Sequence, residues 1–556
     1  VELVEKADDS MRYDARAVDI TRECTMLSNT WQPRVARFKD WLKLLQLVDD
    51  LYKKGLESHV TNNPRTLYNM AVQFLLPSKP IHRIPTAGIE HALMPAARSM
   101  EQSISRHWKQ LDTLNMVTGR GSSWMRELIG RTLLTGWIAV FHEETADGIR
   151  AKVWHPAQTF PEFDTSSDDI NAGLVRCAHI YSVSAREAIN KARSYGFDRE
   201  YRAAQIVYDY YENTGSSIQN ALVIGTDLVK PITDEPLSAI PIITFPVGGI
   251  PDRGIIDNNP NWRGEVGQSI FATNEPAYKA LNKLATFTMQ MVRSAAQALW
   301  FERTDGARHI ITPQMLESYG TIVTMGLQED AGPISPASAP VELRSMSLDI
   351  QGEVQRGGMP WASYGNIQQQ MSASLFGQIT SSAGQVLGPF HEAIMATVQL
   401  IDNMWLEKAR ARLKNEGIDL PEGMEFSISY KLNLPENLAQ LATIAQMLNK
   451  EASVFKPVED ILDEIFQVED PLLTMAKIDG ERALRHPMVQ ATNLIIGVRK
   501  HAAALSLSGD QFAADYYDKL ADQIQKSIDE TGLQSQPQQT AEGPPTSMLD
   551  SLGVAL

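Results

Sequence analysis

Residues 264–302 read GEVGQSIFATNEPAYKALNKLATFTMQMVRSAAQALWFE. A turn-rich segment closes at Gly264–Gly267, and a long helical pattern follows. Pro276 suits the first helical turn, where its missing N–H costs nothing, and Thr273 or Asn274 stands ready to cap just before it. Ala277, Leu281, Leu284, Met291, Ala295 and Leu299 keep helical spacing on one face. Asn282, Thr286, Gln290, Arg293 and Gln297 occupy the other. No Gly or Pro interrupts Ala277–Glu302, which predicts a helix roughly 40 Å long at 1.5 Å per residue. Lys279, Lys283 and Arg293 make it too polar to span a membrane. Periodicity alone favours an ordinary core helix, so its setting in the chain decides its role.

The chain has 556 residues, enough for several domains or one elongated subunit, and its hydrophobic content of 43% allows a real core. No stretch is long and apolar enough for a membrane span, and the charged start VELVEKADDSMRYDAR is not expected to be a signal peptide. Cys24 and Cys177 provide neither a disulfide framework nor a zinc site, and read as buried thiols in a reducing compartment. The net charge of −16 argues against a protein that grips nucleic acid by its phosphates. It leaves room for one that lets nucleic acid pass without holding it.

In chain order, residues 1–60 read as helical, with Phe38, Trp41, Leu42, Leu45, Val48 and Leu51 as a stripe. Helices are expected at about 66–76, 90–114 and 122–135, with an extended passage imposed by Pro77, Pro80 and Pro85. IAVFHEE (138–144) and RAKVWHP (150–156), joined at Gly148, predict a β-hairpin. PEFDTSSDD reads as a loop. AHIYSVS, QIVYDYYEN, ALVIG and PIITFPV read as strands, with a helix at SAREAINKARSYG (184–196). The middle of the chain is therefore α+β. After the long helix come short β-prone pieces, then a turn-rich DAGPISPASAP. A second helical run spans about 349–415, broken near Gly357-Gly358-Met359-Pro360 and loosened by Gly365, Gly377, Gly384 and Gly388-Pro389. FSISYKL is one more strand. Helices alone fill 435–531, and the Gln/Pro/Ser-rich tail reads as disordered. The fold class is α+β, mainly helical.

Motifs for chemistry are sparse. There is no Walker A loop and no HExxH, GxSxG or GxGxxG pattern. Gly119-Arg120-Gly121-Ser122-Ser123 opens a helix. It could cradle an anion, but a glycine turn followed by a serine cap explains it more simply. His155 with Glu162, Asp164, Asp168 and Asp169 is the best acidic cluster. Its carboxylates could hold a divalent metal, but it lacks EF-hand spacing and reads better as a solvated acidic turn. Met289, Met291, Met371 and Met395 read as adaptable packing. No catalytic residue, cofactor site or metal site is assigned.

The order of elements carries more information. Helices around Arg98–Trp108 and Ser122–Thr135 lead into LLTGWIAVFHEE, then VWHPAQTFPEFD, the strand PIITFPV, and GEVGQS running into the long helix. A β-rich insert, TDGARHIITP…GTIVTMG, then precedes a Gly/Gln/Ser-rich helical region. This order resembles the portal (head-to-tail connector) proteins of tailed bacteriophages, most of all those of short-tailed phages (podoviruses), over residues 30–530. The resemblance implies an elongated subunit: an N-terminal helical segment (1–59), a wing (60–265), a first stem helix (266–301) and a clip (302–340). A second stem helix with a channel loop (341–415), a wing return strand (416–435), a helical crown (436–530) and a disordered tail (531–556) would follow.

It further implies a ring, usually of twelve copies, at one capsid vertex, assembled in the host cytoplasm and conducting duplex DNA during packaging and ejection without reading sequence. Implied partners are major capsid and scaffolding proteins, a packaging terminase and a tail adaptor, with no membrane. The packaging ATPase would be a separate protein, since this chain has no P-loop. Arg356, Gln368, Gln369, Gln370, Asn282 and Gln290 are the expected channel-lining residues. Leu284, Met291 and Leu299 are the expected subunit-packing residues. The competing reading is a soluble enzyme or adaptor centred on His155, Glu162 and Asp164. A particle of several hundred kilodaltons separates the first reading from the second.

Overall fold

The computed structural model describes residues 2–52, 58–77, 80–84, 94–145, 148–164, 173–235, 237, 239–248, 266–296, 300–304, 330–333, 341–359, 373–415, 425–429, 449–450, 453–454, 474–475, 477–478, 480, 487–507 and 511–531. They fall into two units, Val1–Pro435 and Glu436–Leu556. The first opens with helices α1 (Glu2–Thr30), α2 (Gln32–Gln46) and α3 (Asn63–Leu75). Helix α2 ends where Leu47 turns left-handed (φ 57°), so the helical reading of 1–60 stops there and Val48 is left exposed. Strand β1 (Ile81–Arg83) precedes α4 (Met94–Asn115), a π turn at Met116–Arg120 and α5 (Trp124–Thr135). Ser123 caps α5 by accepting from the Arg126 N–H at 3.2 Å, which is the plain reading of the glycine–serine stretch.

Two antiparallel sheets follow. One has order β3-β2-β9, built from β2 (Trp137–Thr145), β3 (Gly148–Val153) and β9 (Ile242–Pro246). The other has order β4-β5-β6-β7-β8. Its strands are β4 (Thr159–Phe163), β5 (Leu174–Val183), β6 (Gln205–Asn213), β7 (Ile218–Ile224) and β8 (Asp227–Glu235). Helix α6 (Ala185–Ser194) sits between β5 and β6, started by a Ser184–Glu187 capping box. The hairpin at Gly148 is present, with Thr145 opposite Gly148. Part of the expected PEFDTSSDD loop is instead strand β4, with Pro161 opposite Cys177. Strand β8 carries Pro231. Both prolines lie on the edges of the sheet, the positions where a missing N–H breaks no ladder.

The quoted segments meet at one point. Gly136 ends α5 at φ 67°, and its carbonyl accepts from the Val247 N–H at 2.7 Å. The Val247 carbonyl in turn accepts from the Gln268 N–H at 2.9 Å, and the Ser269 hydroxyl donates to the Leu133 carbonyl at 2.9 Å. A Cβ on Gly136 would lie 2.4 Å from the Gln268 backbone, so only glycine permits this junction. Beside it, the Arg34 guanidinium is buried 4.0 Å over the Trp31 ring and 4.6 Å over Trp137. It donates to the carbonyls of Pro156 and Thr159. Burial pulls its pKa down to about 9, so it still carries its charge at neutral pH, held by ring faces and carbonyls.

The two sheets are joined by a stack of rings: Phe141 on Trp154 at 4.8 Å, Trp154 on His179 at 3.8 Å, and His179 beside Tyr181 at 4.6 Å. Burial holds His142 and His155 down at about 4 and His179 at about 3, with Lys152 and Lys191 adding to the last. These imidazoles are neutral in the fold, while the unfolded chain takes up protons below about pH 6.5. The stability that these three imidazoles contribute is therefore complete above pH 6.5 and falls as pH drops toward 4, by on the order of 3 kcal/mol through His179 alone. His179→Gln keeps a donor for the Gln158 carbonyl and removes the titrating group. Urea unfolding of the variant at pH 7 and pH 4.5 is expected to show a smaller loss than wild type. An equal loss in both would show that His179 does not carry it.

The long helix of the opening stretch is α7 (Glu275–Ala296), followed by β10 (Trp300–Arg303). The expected helix to Glu302 is thus cut short: WFER pairs antiparallel with β11 (Asp330–Pro333), Phe301 opposite Gly332. The DAGP portion of the expected turn-rich segment is that partner strand. Helix α8 (Val341–Arg356) then runs back along α7 to the Gly357–Met359 interruption. Helix α9 (Ala373–Asn415) is continuous through Gly377, Gly384 and Pro389, positions expected to loosen the helical run. Leu387 and Phe390 are buried on either side of the proline, and their packing offsets its missing hydrogen bond. β12 (Ser427–Ser429) pairs with β1.

In the second unit, β13 (Asn449–Lys450) and β14 (Ser453–Val454) form a short ladder in a region read as helical only. Helices α10 (Pro487–Leu507) and α11 (Gln511–Thr531) form an antiparallel pair, with Ile495, Ala502, Ala514 and Ala521 buried and Arg499 bonded to Asp522.

Candidate assembly surface

Helices α7 and α8 form a hairpin anchored at its base. Asn274 is buried, its backbone carbonyl accepts from the Tyr278 N–H, and its side-chain amide donates to the Val354 carbonyl at 2.8 Å. A Cβ on Gly357 would lie 2.1 Å from the Asn274 amide oxygen, so glycine allows the chain to close there. The Trp41 indole N–H donates to the Glu275 carboxylate at 2.9 Å, tying α2 to the start of α7. Tyr278 and Leu281 are buried in this base. A cleft of about 270 Å³ opens beside it, lined by Asn62, Asn63, Thr66, Gln355 and Met359.

Beyond the base the surface changes. Phe287 is 59% exposed and Val292 is 62% exposed on α7, and Met346 and Leu348 are exposed on α8. Leu284 and Met291, expected to pack between subunits, are half-buried and flank Phe287 at i−3 and i+4. The periodicity of the opening stretch already contained Phe287, and only the apolar residues chosen for the stripe left it out. From Ala277 onward α7 carries Lys279, Lys283 and Arg293 and no acid, whereas α8 carries Glu342, Asp349 and Glu353 with Arg344 and Arg356. The two faces therefore differ in charge as well as sharing apolar character.

The expected channel residues sit in several settings. The Asn282 side-chain oxygen accepts from the Thr61 N–H at 2.9 Å, and the Thr286 hydroxyl accepts from the His59 N–H at 3.1 Å. This polar face binds the segment that enters α3. Gln290 is half-buried and Arg356 is exposed at the end of α8. Gln368, Gln369, Gln370 and Leu299 lie outside the described residues.

The acidic cluster is divided among structural tasks. His155 caps a 3-10 turn, its Nδ1 accepting from the Ala157 N–H at 3.1 Å. Glu162 accepts from Arg176, which also donates to Glu23 at 3.0 Å. The Asp164 backbone N–H bonds to the Gly173 carbonyl, and Asp168 and Asp169 lie outside the described residues. Among the described residues no group of three His, Cys, Asp or Glu side chains is arranged to hold a metal ion. No described helix is long and apolar enough to cross a membrane.

No protein-family model matches the chain, and no curated protein matches it. Among solved structures it is similar to a chain from the neck of an empty gene transfer agent (GTA) particle computed with C6 symmetry. The identity is 12% over 72% of this chain and 89% of the other, with a TM-score of 0.39. It is also similar to a chain from the neck of a native GTA particle computed with C12 symmetry, at 12% identity over 72% and 98% of the two chains, with a TM-score of 0.37.

Proposed function

We propose that this chain is a portal, or head-to-tail connector, subunit of the short-tailed-phage type. Copies close into a ring at a capsid vertex, assembled in the host cytoplasm. The ring conducts duplex DNA without catalysing a reaction. The observation that carries this reading is the α7–α8 hairpin, whose outer half exposes Phe287, Val292, Met346 and Leu348 on regular helices. A closed ring uses the same two unlike surfaces at every contact, and α7 and α8 are unlike in charge. α7 of one copy would meet α8 of the next, covering the exposed side chains.

The net charge of −16 supports conduction over capture, since each cation that neutralises a phosphate adds affinity and slows passage. In this reading the terminase, capsid, scaffolding and tail-adaptor proteins dock on the ring, and the terminase supplies the ATPase. Native mass spectrometry and negative-stain microscopy of the purified chain test it. The expected result is a ring with a central hole, near 740 kDa for about twelve 61.8 kDa copies. A clean monomer across micromolar concentrations would remove the reading.

A further inference from the structure

Asp402 on α9 is fully buried at 0% exposure, and both of its partners come from elsewhere in the first unit. His82 of β1, 4% exposed, places Nδ1 2.5 Å from one carboxylate oxygen. Trp108 of α4, 5% exposed, donates its indole N–H to the other at 2.7 Å. The His82 and Trp108 rings lie nearly parallel, 11° apart, and Trp108 packs on Trp124 of α5 at 4.8 Å. One carboxylate thus joins a strand and two helices that are far apart in sequence.

The surroundings offer this carboxylate little else. Val398, Ile401 and Leu406, its neighbours on α9, are buried and apolar. Among the described residues no lysine or arginine forms an ion pair or hydrogen bond with Asp402. The titratable group facing it from α4 is His107, edge-on to Trp108. Arg83 follows His82 on β1 and so points to the opposite side of the strand. β12, which pairs with β1 opposite His82 at Ile428, brings no titratable side chain there. His82 Nε2 is buried without a hydrogen-bond partner. Two donors are few for a carboxylate that can accept about four, and a net negative charge left in such a site is expensive.

We propose that His82 and Asp402 form a one-proton lock: the pair stays net neutral inside the fold, and loss of its shared proton at alkaline pH releases α9 from β1 and α4. Burial pushes the Asp402 carboxyl up from its ordinary value, against the hydrogen bonds from His82 and Trp108 that pull it down, in keeping with a retained proton. In the opened state the two side chains meet water, where an ordinary imidazole gives up its proton above about pH 6.5 and a carboxyl above about 3.9. Between those values closed and open states hold the same number of protons, and stability is flat. Above about pH 6.5 the closed state holds one more, so its stability falls as pH rises. This lock does not depend on the ring reading, because all its residues lie in one subunit.

Hydrogen–deuterium exchange of the full chain, followed by mass spectrometry of peptides covering residues 80–84 and 398–406, tests it. After correction for intrinsic exchange, the wild-type opening constant is expected to rise about tenfold per pH unit between about pH 6.5 and 8.5. D402N keeps an acceptor for Trp108 and offers an N–H to His82 Nδ1, but carries no shared proton, so its opening constant is expected to stay level. A level wild-type profile, or a D402N profile as steep as wild type, would overturn the lock. If D402N does not fold, the wild-type slope decides.

Discussion

If the chain closes into the proposed ring, Phe287→Asp is expected to leave the subunit folded and to abolish the ring. In a single copy Phe287 is more exposed than buried, so the substitution removes little core packing. The new carboxylate also finds Lys283 one turn earlier on α7, which offsets part of the change in the free subunit. In a ring the same position is covered by the neighbouring copy, where an unpaired charge costs about 3–5 kcal/mol at each contact. That is a loss of about 10²- to 4 × 10³-fold per interface, repeated at every step around the ring. Circular dichroism is expected to be unchanged, and native mass spectrometry is expected to shift from ring to monomer. Phe287→Leu keeps an apolar side chain and is expected to keep the ring. Rings of normal size from the aspartate variant would mean that this face of α7 is not between subunits. The ring would then have to close through another surface.

Local patterns were legible where local chemistry decides. QIVYDYYEN is strand β6 from its first residue to its last, and the Ser184-x-x-Glu187 pattern starts α6. The Thr135-Gly136-Trp137 stop to α5 is set by a left-handed residue that glycine fills most easily. Distant partners were not legible. WFER continues a helical window in sequence, but becomes a strand because residues 330–333 pair with it. Strands β4 and β8 hide behind Pro161 and Pro231, whose meaning changes once each strand is known to be an edge. Pro389 stays inside α9 because Leu387 and Phe390 are buried, which no local window reports.

The candidate surface follows the same division. The apolar stripe through Leu284 and Met291 could be read from spacing, and with it Phe287 should have been. Asn282 was expected at the channel because the resemblance placed its helix there. Asn282 and Thr286 accept from the backbone at Thr61 and His59, and nothing in the sequence says that an irregular segment will lie along that face. The His82–Asp402 pair was invisible for the same reason. It joins positions 320 residues apart, and a lone histidine and a lone aspartate are too common to mark.

Replacing Gln368, Gln369 and Gln370 by lysine tests where DNA passes. Arg356 is exposed at the end of α8, and Gly357, next along the chain, closes against Asn274 at the base of the hairpin. If residues 355–387 face the DNA, the wild-type contacts are made by Gln, Ser, Asn and backbone groups, which bond phosphates briefly without releasing counterions. Wild-type rings are then expected to bind duplex DNA weakly and with a shallow dependence on salt. The triple-lysine ring is expected to bind more tightly, steepening log K against log salt by about 0.9 for each phosphate newly neutralised. The same tightening should slow packaging, since every step of the duplex must now break ion contacts. Arg356→Gln is expected to move the other way and only slightly, by at most about one unit of slope. Affinity across a salt series for the three rings, with the length of DNA packaged in a fixed time, reads all of these effects. A triple-lysine ring that binds no better and packages at the wild-type rate would put this stretch away from the DNA. The conduit would then have to be lined by other residues.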